Sequence, residues 1–160
     1  MSTDLNNYSN IIATDPAPSM SSRRVSLANR EGLPKGSLRG AGVTSKGSPR
    51  IMYFESGLEL KAQLILQARR DVREIFEQLP RVKYIDQCGK ERTQTFDILA
   101  HMIDGERIAI AVKPYDVAKR KGFRDELAII APQIPKEVAD RVVLLTDRQL
   151  RGSRLFNAEL

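Results

Sequence analysis

One cysteine (Cys88), one histidine (His101) and no tryptophan are all that this 160-residue chain has of the residues that staple or metallate small proteins. A lone cysteine forms no internal disulfide, and one Cys with one His cannot complete a tetrahedral zinc site. No apolar run approaches the ~18 residues that a membrane-spanning helix needs. The N-terminus, Met1-Ser2-Thr3-Asp4, does not open the basic and then apolar pattern of a secretory leader. These absences predict a cytoplasmic, soluble protein held together by its core. The length suits one domain of roughly 100–200 residues.

What the chain does have is basic charge. There are 26 Lys and Arg against 20 Asp and Glu, a net charge of +6. Residues 1–50 hold seven basic and three acidic side chains, so most of the surplus sits there. That stretch is rich in Ser, Gly, Asn and Pro and carries too little apolar surface to offset an ordering cost of about 1–2 kcal/mol per residue. It is predicted to be a disordered N-terminal arm. Its cations Arg39, Lys46 and Arg50 are candidate phosphate contacts, and a solubilising tail is the plain alternative. The Gly40-Ala41-Gly42 stretch has neither the strand before it nor the helix after it that a phosphate-binding loop requires.

Order is expected from near Ile51. Leu58, Ala62, Ile65, Leu66 and Arg69 follow helical spacing from Glu55 to about Arg69, and Asp71–Glu77 reads as a short helix or turn ending before Pro80. Arg81–Asp86 alternates as a half-buried strand does, and a strand from Arg92 to Met102 follows. Asp104-Gly105 signals a hairpin, and Arg107–Lys113 is apolar enough for a central strand covered on both faces. Asp116 to Ala131 is predicted as one helix and Asp140–Thr146 as a buried strand, with Asp147 as N-cap of a final short helix. The class is α/β, a mixed sheet flanked by helices.

Several polar residues stand at the edges of this apolar scheme. Glu55 and Glu59 share a helical face; Asp97 interrupts a strand, where Asp is disfavoured; Lys113 closes the most apolar strand. The Asp104-Gly105 hairpin puts Asp97 and Lys113 at neighbouring rungs, beside which the glutamate helix can pack. Carboxylates with a neighbouring lysine suit Mg²⁺ or Mn²⁺ and phosphodiester hydrolysis: the acids hold a hard cation, which activates water, and the ammonium steadies developing charge. The plain alternative is a surface ion pair between Asp97 and Lys113. Lys119, Arg120 and Lys121 are further candidate phosphate contacts, or else a solvated helix start. His101 is read as an ordinary strand residue, and Cys88 as incidental to a turn.

Five segments in order carry a resemblance: Glu55-Ser56-Gly57-Leu58-Glu59, Glu77-Gln78-Leu79-Pro80, Thr95-Phe96-Asp97, Ala111-Val112-Lys113-Pro114 and Leu144-Leu145-Thr146-Asp147-Arg148-Gln149-Leu150. Ser45-Lys46 ahead of Tyr53-Phe54 and the late Phe156-Asn157-Ala158 extend it over residues 37–160. Together they resemble the TnsA-like transposon endonucleases of the PD-(D/E)XK restriction-endonuclease-like superfamily. The resemblance implies a restriction-endonuclease-like domain over 51–160. It further implies a DNA substrate, a transposase or recombinase partner, and DNA nicking that depends on Mg²⁺ or Mn²⁺. It makes Glu59 the helix carboxylate with Glu55 as its neighbour or substitute, Asp97 the central metal ligand, Lys113 the catalytic lysine and Gln78 a supporting residue. Two positions depart from the pattern. Phe96 replaces the proline that precedes the central aspartate, a change expected to matter little. Ala111 replaces the Glu or Gln expected two residues before the lysine and cannot ligate a metal. Glu126 on the next helix is the candidate substitute. A relative that has lost catalysis and kept its binding surface is the alternative reading.

Overall fold

A computed structural model describes residues 16–22, 38–44 and 46–151. Its elements run β1 (Gly40–Val43), β2 (Ile51–Phe54), α1 (Gly57–Ala68), β3 (Val72–Glu77), β4 (Arg81–Ile85), β5 (Glu91–Thr95), β6 (Ile98–Met102), β7 (Arg107–Val112), α2 (Tyr115–Arg120), α3 (Phe123–Ile130), a 3₁₀ turn (Ala131–Gln133) and β8 (Arg141–Leu145). The architecture is mixed α/β. A four-stranded sheet in the order β3-β6-β7-β8 is joined by two hairpin-like pairs, β1-β2 and β4-β5. Within the larger sheet β3, β6 and β7 are antiparallel and β8 lies parallel to β7. No described helix is long and apolar enough to cross a membrane.

The alternation along β7 explains the layers. Ile108, Ile110 and Val112 turn into a cluster with Ala62 and Leu66 of α1. Ala109 and Ala111 turn the other way, into a cluster with Ala118, Phe123 and Leu127 of α2 and α3. Strand side chains alternate faces, so an unbroken apolar run is what a strand covered on both sides requires. On the second face the two alanines leave room for Phe96 and Phe123.

Several sequence-based expectations are corrected. Asp71–Glu77 is not a helix or turn: β3 pairs with β6 from Val72↔Met102 to Glu77↔Ile98. Its Arg and Glu are good helix formers, but Val72, Ile75 and Phe76 are buried there, and packing overrides local propensity. The strand expected from Arg92 to Met102 is two strands. The chain leaves the β4-β5 pair at Phe96, whose N–H donates to the Pro80 carbonyl at 3.0 Å, and joins the larger sheet at Asp97, whose N–H donates to the Ile110 carbonyl at 3.0 Å. The helix expected over 116–131 is broken by Gly122, which sits in the left-handed region at φ 60°, a conformation glycine adopts without steric cost. No final helix starts at Asp147 among the described residues. Its carboxylate instead accepts the Tyr115 N–H at 2.7 Å, and residues 147–150 form a turn.

Order also begins earlier than Ile51. β1 pairs antiparallel with β2, Gly40↔Phe54 to Val43↔Ile51. Residues 16–22 form a strap across the same region: Ala17 bridges Arg50, the Ile51 N–H donates to the Ala17 carbonyl at 2.8 Å, and Ser22 donates to the Gln78 carbonyl. The remainder of the expected arm (1–15, 23–37 and Ser45) and the 152–160 segment with Phe156-Asn157-Ala158 lie outside the described residues.

Candidate active site

The site is assembled where β6 begins, β7 ends and α1 starts. Ser56 is the N-cap of α1, its hydroxyl accepting the Glu59 N–H at 3.1 Å. The Glu59 carboxylate folds back to accept from the Ser56 hydroxyl at 3.1 Å and the Glu55 N–H at 3.0 Å. This is a variant of the capping box in which the glutamate reaches the N–H one residue before the N-cap; its signature, Ser56 followed three residues later by Glu59, is visible in the sequence, and Ser56 is a site residue that the motif reading missed. The cap holds Glu59 in one position at the first turn of the helix, only 9% exposed.

Asp97 occupies the break between β5 and β6. There Val112 of β7 has no strand partner for its N–H, and the Asp97 carboxylate accepts it at 2.7 Å. The Asp97 backbone carbonyl accepts from the Gln78 N–H at 2.8 Å. Asp97 is thus fixed at main chain and side chain, with 8% of its surface exposed. Lys113 is the next residue after β7; its ammonium stands 3.9 Å from the same Asp97 oxygen and 5.8 Å from the centre of the Phe123 ring.

Burial pushes the Glu59 carboxyl above its ordinary value, and the nearby charges of Asp97 and Glu55 push the same way, against the two hydrogen bonds of the cap. Glu59 thus lies near enough to Asp97 and Glu55 to feel both charges, and Lys113 faces Asp97 as the hairpin spacing predicts. Arg39 reaches the same place, 4.0 Å from the Glu55 carboxylate. For stability the sign is plain. A carboxyl whose folded value is raised contributes stability below its ordinary value of 4.5, and that contribution is lost as pH rises through the raised value. Glu59→Gln imitates the protonated form. In EDTA its thermal midpoint should match wild type in acid and exceed it increasingly toward neutral pH; parallel curves would contradict the raised value.

Other expected site residues are placed elsewhere. Arg50 is 4% exposed: its guanidinium bonds Glu74 at 2.9 Å and the Ile75 carbonyl at 2.6 Å and lies 4.1 Å over the Phe76 ring. It is an internal brace, which corrects its assignment as a phosphate contact. Lys46 donates to the Arg69 carbonyl at the C-terminus of α1, at 2.7 Å, where a cation is favoured. Glu126 does not join the carboxylates as a substitute ligand; it accepts the Tyr84 hydroxyl at 2.6 Å, which pushes the Tyr84 value up to about 12. Gln78 is buried at φ 53° beside the cis Leu79–Pro80 peptide and supports the site through the Asp97 main chain. Lys119, Arg120 and Lys121 are exposed but end α2 rather than start a long helix. His101 packs on Phe76 with ring centres 5.0 Å apart, and burial lowers its value. Cys88 is exposed in the β4–β5 turn.

Ala111, fully buried among the side chains under α2 and α3, occupies a core position. A carboxylate introduced there would enter apolar packing. Among the described residues no three His, Cys, Asp or Glu side chains group as a metal cage. Glu59 and Asp97 are two neighbouring carboxylates of like charge. Such a pair fits Mg²⁺ or Mn²⁺: Mg²⁺ is commonly held by one or two carboxylates, with water and substrate phosphate in the other positions. No protein-family model matches the sequence, and a search of curated proteins gives no match either.

Proposed function

We propose that this protein is a DNA-binding, metal-dependent endonuclease of restriction-endonuclease-like fold that nicks DNA beside a transposase or recombinase. The observation that carries the reading is the meeting of Glu59, Asp97 and Lys113 at the break between β5 and β6, with Asp97 and Lys113 3.9 Å apart and Glu59 raised in part by the charge of Asp97. Buried titratable groups perturbed by a neighbouring charge cluster at functional sites. The TnsA-like motif order supports the choice of DNA and of a recombination partner.

In this reading Glu59 and Asp97 hold Mg²⁺ or Mn²⁺, which when bound supplies a water of lowered pKa and neutralises phosphate charge. The capping box and the Val112 N–H keep the two carboxylates from swinging away, so the ligands are ordered before substrate arrives. Lys113 lies within reach of the same point. Its ammonium donates to the attacking water or to a phosphate oxygen as negative charge develops there.

One observation favours a second reading, a nuclease-fold module that binds DNA or docks a transposase without cutting: Ala111 supplies no third ligand, and its place is closed by packing. Supercoiled plasmid with Mg²⁺ or Mn²⁺ separates the two. Endonuclease activity predicts nicked circles with wild-type protein and none with Lys113→Ala. Wild-type protein that binds plasmid and never nicks it in either metal, alone or with its recombinase, would leave the second reading.

A further inference from the structure

Beside the candidate site, a groove of about 330 Å³ opens between α2, α3 and the end of β8, lined by Tyr115, Ala118, Lys119, Arg124, Leu144 and Thr146. It adjoins the reactive end directly, since Tyr115 is two residues beyond Lys113. Its charge sets it apart. Residues 113–126 and 146–151 hold seven Lys and Arg against four Asp and Glu, whereas the rest of 51–160 holds twelve against thirteen. Of these cations, Lys119 and Arg124 line the groove itself. Asp125 also lines it, so the cations there are not unopposed.

A second feature sits at its rim. The Arg148 guanidinium carbon stands 3.3 Å from the centre of the Tyr115 ring, and the Tyr115 backbone is fixed by Asp147. A guanidinium lying on an aromatic ring is a flat, charged platform, and Arg148 is exposed. Bases that have left a duplex stack on such planes, whereas paired bases do not present their faces.

We propose that this groove is a channel for a single DNA strand: Lys119 and Arg124 take a phosphodiester, and an unpaired base stacks on the Arg148–Tyr115 platform. The inference rests on the DNA reading above and names its substrate class, a strand opened or frayed next to the cut. Neither cation alone would distinguish a strand from a duplex; the platform does, because stacking needs an open base face.

The test is fluorescence anisotropy in EDTA, with a short labelled single strand and the blunt duplex of the same sequence, over a salt series. Wild type should bind the single strand more tightly. Lys119→Ala and Arg124→Ala should each weaken it and lower the log–log salt slope by about 0.7, the value for one lost phosphate contact on a single strand. Arg148→Ala should weaken single-strand binding by about tenfold, the scale of one stacked base, and leave the duplex nearly unchanged. Arg148→Lys keeps the charge without the plane and should lose most of that tenfold. Arg73→Ala, on the opposite edge strand β3, should change neither. Equal loss for single strand and duplex, groove variants that bind like wild type, or no binding at low salt would each overturn the proposal. EDTA silences cutting. Groove-dependent binding by a protein that never nicks therefore refutes only the endonuclease reading, and nicking with groove variants at full strength refutes only the groove.

Discussion

Asp97→Asn is expected to abolish plasmid nicking while leaving the protein folded. The Asp97 oxygen that accepts the Val112 N–H at 2.7 Å has a neutral counterpart in the asparagine carbonyl, so the strand break keeps its hydrogen bond. What disappears is the charge that faces Lys113 and Glu59. The loss in nicking rate should be at least on the order of 10²–10³-fold, the scale for removing one preorganised electrostatic group from a reacting centre. Asp97→Ala should be equally inactive and also less stable by about 1–3 kcal/mol, because it strands a buried N–H. Nicked-circle yields and thermal melts for the two variants separate the roles. An asparagine variant that nicks at the wild-type rate would reduce Asp97 to a structural acceptor.

Phe96→Ala should have the largest effect on stability, about 3–5 kcal/mol, the cost of deleting a fully enclosed phenyl ring. Phe96 has no exposed surface and is the largest of the fully buried side chains among the described residues. It fills the space between the β4-β5 pair and α3 together with Tyr84, Phe123 and Leu127. Urea unfolding measures the loss; a change below about 1 kcal/mol would mean that the site collapses around the gap. The position also bears on the phenylalanine that stands where the resembled pattern has proline. The Phe96 N–H donates to the Pro80 carbonyl, a bond that proline cannot make, so Phe96→Pro loses both the ring and the hydrogen bond that closes the end of the β4-β5 pair.

The central strand and its hairpin were legible because both signals are local: an apolar run with one pattern, and Asp104-Gly105 at the turn. The α1 helix was legible from its spacing. The same local logic brought Asp97 and Lys113 together, since they flank one hairpin. Identity of β3 was not legible, because Arg73, Glu74 and Glu77 suit a helix and only pairing with β6 makes a strand of them. Nor was the role of Arg50. In the sequence it is one cation among many in a polar stretch, and its enclosure depends on Glu74, Ile75 and Phe76, more than 20 positions away. Ala111 looked like a missing ligand; its neighbours under α2 and α3 make it a packing residue as well.

The strap formed by residues 16–22 bears on how the protein is made. Ser19 donates to the enclosed Glu77 carboxylate, a contact spanning 58 positions, and Ser22 bonds the Gln78 carbonyl across 56. These residues are synthesised before their partners on β3 and its loop, which emerge more than 50 residues later, and β3 itself is held by β6, later still. The strap must therefore wait through the synthesis of the sheet's first half, as the ordering of such distant contacts requires. A segment made before the sheet is thus seated after it, and it seats on Gln78, the residue whose N–H holds Asp97.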